Sequence, residues 1–296
     1  QSMVEGVYGR DWKAWLHLGV ARYLLATDRR PVDAETLAEA IDDLKQAFLL
    51  SGGDDQAASW LARAWEGLGS IHWPDDMLSA AKAYGEARDC LAGAAAFDLR
   101  VRYAQLTVKL ADALWHAGKR DEARELYDES QEWVAEHEPL QGESGFVGWA
   151  LGTARHVLAN DALGRGALRE AARELARGGA AFATVATRVD EAPWVPVYHV
   201  MRVMNGHGRV LTALALERYD RAESVLDLMD RWWVAGLPIQ GPRPQSEAFL
   251  RAEHEDLRLA LRSLQAGDAW SEKQRRLAIG AHRRLGLTLL ADGGAT

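Results

Sequence analysis

Residues 110–133 read LADALWHAGKRDEARELYDESQEW. With Leu106 just upstream, Leu110, Ala111 and Leu114 recur at three- and four-residue spacing, the stripe that one face of an α-helix buries. Gly118 follows where that helix should stop, because glycine takes the left-handed conformation that terminates a helix at least cost. Asp121 and Glu122 then put negative charge at the positive end of a second helix, on which Ala123, Leu126, Tyr127, Ser130, Trp133 and Val134 share a face. The stretch predicts a helical hairpin.

The same layout returns along the chain. At 158–179, LANDALGRGALREAARELARGG sets Gly166, Ala171 and Leu175 in the places of Gly118, Ala123 and Tyr127. At 61–87 a longer turn separates Leu61, Ala62 and Trp65 from Ala80, Tyr84 and Ala87, while Ala222 and Leu226 continue the pattern at 213–229. Near the start, Trp15, Leu18 and Gly19 precede Ala40, Leu44 and Ala47. All eight prolines fall between periodic segments, and no alternating strand pattern with hairpin turns occurs. The fold class read from this is all-α, with about six hairpins. Ser271 and Gln274 form a capping box in the last pair, about 245–290, which follows the loop GLPIQGPRPQ at 236–245.

These pairs resemble tetratricopeptide repeats, whose period is about 34 residues. The unit at 104–137 keeps Leu110, Ala111, Leu114, Gly118, Ala123, Tyr127 and Ser130, with Thr107 where the family favours tryptophan and Ala135 where it favours proline. The unit at 152–185 keeps Leu158, Ala159, Gly166, Ala171 and Leu175, with Arg155 at the tryptophan place. The resemblance implies a right-handed superhelical stack over residues 3–296 as a single domain, with 246–296 as a capping pair. It also implies that the first helix of each pair lines a concave groove, and that the groove takes a protein or peptide ligand.

In that register the groove is expected to carry Gln56, Arg63 and Glu66 from the second pair and Gln105, Lys109, Asp112, Trp115 and His116 from the third. Thr153, His156 and Asn160 follow from the fourth pair and His207 from the fifth. Asp112 and His116 lie one turn apart, so the carboxylate is expected to orient the imidazole. A basic clamp for a partner's C-terminal carboxylate is not evident, since only Lys109 and Arg63 are cations on this face. Most of the twelve tryptophans are expected to fill gaps between helices, with Trp60 and Trp115 placed to stack on a ligand. Trp232 and Trp233, being adjacent, cannot both face one core.

Several function classes lose ground. The net charge of −8 does not recruit nucleic acid or anionic lipid, and no apolar run reaches the roughly 20 residues a membrane helix needs. One cysteine, Cys90, leaves no disulfide framework or cysteine-rich zinc site and suits a reducing compartment, so a cytoplasmic protein is expected. Gln1 and Ser2 before Met3 read as the remnant of a cleaved tag, with no secretion signal after them. Phosphate-loop, nucleophile-elbow and zinc-protease signatures are missing, and no two of the nine histidines are spaced i, i+4, so neither a cofactor nor a metal site is expected. The charge runs RAEHEDLR at 251–258, EKQRR at 272–276 and HRR at 282–284 read as solvated helix faces. The reading is a non-enzymatic interaction scaffold. The alternatives are a carbohydrate-active enzyme using Asp112 and Glu66 on a helical-repeat frame, or a small-molecule or peptide sensor.

Overall fold

The computed structural model describes residues 11–28, 31–137, 143–185, 195–234 and 246–293. These contain twelve α-helices and no strand: α1 (Trp12–Asp28), α2 (Ala34–Leu50), α3 (Asp55–His72), α4 (Met77–Asp89), α5 (Phe97–His116) and α6 (Arg120–Glu136), then α7 (Glu143–Gly164), α8 (Leu168–Thr184), α9 (Val195–Ala215), α10 (Tyr219–Val234), α11 (Ser246–Gln265) and α12 (Glu272–Gly293). The chain is all-α, and it divides into two compact units, Gln1–Trp133 and Val134–Thr296. Pro31 and Pro74 lie between helices, whereas Pro196 falls in the first turn of α9, where its missing N–H would have had no intrahelical partner.

The hairpin turns explain why the helices stop where they do. After α5, Gly118 (φ 83°) donates its N–H to the Trp115 carbonyl, and Lys119 donates to that of Leu114. Gly166 (φ 75°) and Ala167 repeat this after α7, and Gly267 (φ 99°) and Asp268 after α11. Two otherwise orphaned carbonyls are satisfied each time, at a position that favours glycine. After α9 the same two bonds form with Glu217 (φ 58°) in the glycine's place and Arg218 after it. The Ser271–Gln274 box is present: the Ser271 N–H donates to Gln274 Oε1 at 2.8 Å, and the Gln274 N–H donates to Ser271 Oγ at 3.2 Å.

In the first unit, Trp15 and Leu16 of α1, Leu37, Ile41 and Leu44 of α2, and Ala57, Leu61 and Ala64 of α3 form one buried cluster. Asp33, Asp54 and Asp76 cap α2, α3 and α4 through their carboxylates. A small residue pairs with an aromatic filler between α3 and α4. A Cβ on Gly69 would stand 2.6 Å from the Tyr84 ring, so the ring occupies the place of a side chain.

The second unit is built around α9. Val203, Met204, Val210 and Leu214 pack with Ala222, Leu226 and Met229 of α10 and with Leu250, Leu257 and Leu261 of α11. Thus α11 does close the end of a hairpin. Its partner α12 does something a terminal cap would not: it packs on α7 and α9, the first helices of the two preceding hairpins. Ile279 of α12 meets Ala162, Leu163 and Ala171, and the Arg283 guanidinium lies where a side chain on Gly164 would go.

The two departures at the tryptophan place of the resembled repeat, Thr107 and Arg155, are filled by polar pairs. Thr107 Oγ1 accepts a 3.1 Å hydrogen bond from Arg88 Nε, and Arg88 also pairs with Glu129 at 2.8 Å. Arg155, 1% exposed, donates to Glu174 Oε2 at 2.9 Å. A buried guanidinium is tolerable only with such a partner.

Candidate functional site

The expected groove residues fall in both units. In the first, Gln56 and Arg63 are exposed, and the Arg63 guanidinium lies 5.3 Å from the Trp60 ring centroid. Trp60 also meets Tyr23 edge-on, which uses the ring that was expected to be free for a ligand. Lys109 donates to Glu66 at 2.7 Å, and Arg102, which the sequence reading had not singled out, donates to the other carboxylate oxygen. Burial pushes the Glu66 pKa up, but the charges of Lys109 and Arg102 outweigh it and hold the carboxyl below its usual range. Glu66 is therefore an ionised bridge between α3 and α5, and Lys109 is not an idle cation. Gln105 is half-buried beside it on α5.

Asp112 does not orient His116. Its carboxylate accepts a 2.5 Å hydrogen bond from the Tyr127 hydroxyl of α6, while His116 stacks edge-on against Trp73 at 5.3 Å. The helical register placed Asp112 and His116 correctly along α5, but Tyr127 reaches the carboxylate from the neighbouring helix. Burial pushes the Asp112 pKa up to about 6, with the Tyr127 bond and Lys109 opposing. His116 is held below its ordinary value by burial. Trp115 is not a ligand platform: it is buried, with Arg120 and Arg124 laid over its ring at 5.0 and 5.8 Å. Leu110 and Leu114 line a cleft of about 570 Å³ between α4 and α6 together with Leu78 and Leu126. Two ion pairs lie on its rim, Arg88 with Glu129 and Lys119 with Glu122.

In the second unit, Thr153 is half-buried, and His156, Asn160 and His207 are buried instead of facing an open groove. The cause is α12 with α11. His282 of α12 meets the His156 ring edge-on at 5.7 Å, and both His282 and His207 reach Glu253 of α11. The distances are 2.7 Å from His207 Nδ1 to Oε2 and 2.8 Å from His282 Nδ1 to Oε1. One carboxylate thus accepts from two imidazole N–H groups, which fixes both tautomers. Burial works to raise the Glu253 pKa, but these two hydrogen bonds prevail and hold it far below the carboxylate range. Burial lowers His207 despite Glu253 and lowers His156 to about 3. Beside them His254 Nε2 meets Asp230 Oδ1 at 2.9 Å, and Asp230 also pairs with Arg258.

The segments read as solvated charge runs therefore supply the seam. Glu253 and His254 come from RAEHEDLR, and His282 from HRR. The seam is also left short of partners. Both nitrogens of His156, Nε2 of His207 and His282, and the side-chain amide of Asn160 are buried without a hydrogen bond among the described residues. Among those residues no group of three or more His, Cys, Asp or Glu side chains is arranged to hold a metal ion, and no helix is long and apolar enough to cross a membrane. Trp232 packs on the α9–α10 core under Arg202, while the Trp233 side chain lies outside the described residues. No protein-family model matches the chain, and no curated protein matches its sequence.

Proposed function

We propose that the chain is a peptide- or protein-binding scaffold of tetratricopeptide-repeat type, and that the ligand face of its second unit is the α7–α9 surface. One observation carries this reading: α12 of the same chain lies across His156 of α7 and packs on α9, the surface that the resembled repeat would offer to a ligand. A face that accepts an amphipathic helix in cis has the shape and chemistry to accept one in trans. The contact is apolar at Ile279 and polar at His282 and Arg283, so a ligand of the same class is a helix with an aliphatic residue followed within a turn by basic or imidazole side chains. The enzyme reading draws no support from its suspected acids, since Glu66 is tied up by two cations and Asp112 by Tyr127.

The test is a chain ending at residue 270, probed with a fluorescent peptide of residues 271–290. The shortened chain, helical by circular dichroism, is expected to bind the peptide at least tenfold more tightly than the full chain, whose own α12 competes. If the shortened chain does not fold, a full-length Ile279→Asp, His282→Ala variant replaces it. A folded, opened protein that binds the peptide no better than wild type would overturn the reading.

A further inference from the structure

Where α8, α9 and α10 meet in the second unit, three arginines converge on one cleft. Arg209 comes from α9, Arg218 from the turn after it and Arg221 from the first turn of α10, with Thr212 beside them and Ala172 and Leu216 as the apolar wall. No carboxylate lines this cleft. Several arginines elsewhere are answered, Arg155 by Glu174, Arg165 by Asp161 and Glu170, and Arg258 by Asp227 and Asp230. For Arg209, Arg218 and Arg221 no ion pair forms among the described residues, in a chain whose net charge is −8.

Arg209 is set in place, not waving in solvent. A Cβ on Gly179 of α8 would lie 2.9 Å from its Nη1, so the guanidinium rests against the helix backbone where a side chain would otherwise stand. Its Nε is buried with no hydrogen-bond partner among the described residues. Burial, and then the charge of Arg221, disfavour its ionised form. Gathering like charges and orphaning a buried donor both raise the free energy of the empty site, and an anion relieves both. The first turn of α10 supplies Arg221 to this corner and also carries Asp220, which does not line the cleft. Planar guanidinium forks suit the paired oxygens of a phosphate.

We propose that this cleft binds a tetrahedral oxyanion, as free phosphate or as the phosphate group of a phosphomonoester. The assignment is independent of the α12 reading. The test is calorimetric titration of the full chain at constant ionic strength with inorganic phosphate, glycerol phosphate and acetate. Phosphate is expected to bind, and Arg218→Gln and Arg221→Gln, both at exposed positions, are expected to weaken it at least tenfold each without changing the circular dichroism. Tighter binding of glycerol phosphate than of phosphate would identify an ester as the ligand, and tighter binding of phosphate the free ion. Acetate binding as well as phosphate, unchanged affinity in both variants, or no heat with wild type would overturn the proposal.

Discussion

At Glu217 a side chain stands where Gly118, Gly166 and Gly267 carry only hydrogen, with the same pair of hydrogen bonds around it. A non-glycine residue held at positive φ stores on the order of 1 kcal/mol. Glu217→Gly is accordingly expected to raise stability by about 0.5–1 kcal/mol in urea denaturation, while Gly166→Ala, at an open site with the opposite change, should lower it by about 1 kcal/mol. A Glu217→Gly protein no more stable than wild type would show that the strain is relieved elsewhere. The stops at Gly118 and Gly166 were legible in the sequence, because the turn is local and they follow from glycine's freedom and from the helical stripe alone, whereas nothing local marks Glu217 as a turn residue. What was not legible is which side chain meets which across helices. The same local logic put Asp112 beside His116, and Tyr127, fifteen residues on, took the carboxylate.

Among the elements, α12 is expected to hold on in a pH-dependent way. The ionisable groups at its seam are His156 with the Arg155–Glu174 pair from α7 and α8, His207 from α9, Glu253 from α11, and its own His282 and Arg283. His156 and His207 have pKa values lowered in the closed form, so closure is fully favoured above the ordinary value near 6.5 and loses ground as pH falls below it. For His156, with a closed-form value of about 3, the loss at pH 5 is about 2 kcal/mol, roughly thirtyfold, for an opening that returns the whole ring to water. Amide exchange in residues 272–284 should therefore accelerate between pH 7.5 and pH 5 after correction for intrinsic rates, and His156→Leu should blunt the effect. Equal protection of α12 at both pH values would refute the idea. Register marked His156 and His207 as the residues to watch, but their partners come from 46 and more residues away, in runs whose charge patterns look like solvated surface. The sequence could not distinguish a face open to water from one closed by a later helix.

Across the whole molecule the two units are predicted to answer acid in opposite directions. In the first, Asp43 and Asp112 have carboxyls raised by burial, Asp112 to about 6, and the large shift of Asp112 makes folding gain as pH falls from about 6 toward 4.5, with His116, lowered by burial, opposing. In the second, His156, His207 and His254 are all lowered, and folding loses over the same window. Protection of α5 amides such as Val108 should rise while that of α9 amides such as Met204 falls, and a parallel change in both would contradict the assignment. The division after Trp133 has no marker in composition, for it falls inside α6, a continuous helix. Under the proposed function, the α12 blocker and the binding face share a polypeptide, so the blocker's effective concentration is of millimolar order at any dilution of the protein. On that reading an outside helix must outbid the local supply, so adding more of the protein does not lower the threshold, and only a tighter or more abundant partner, or a weaker latch, crosses it.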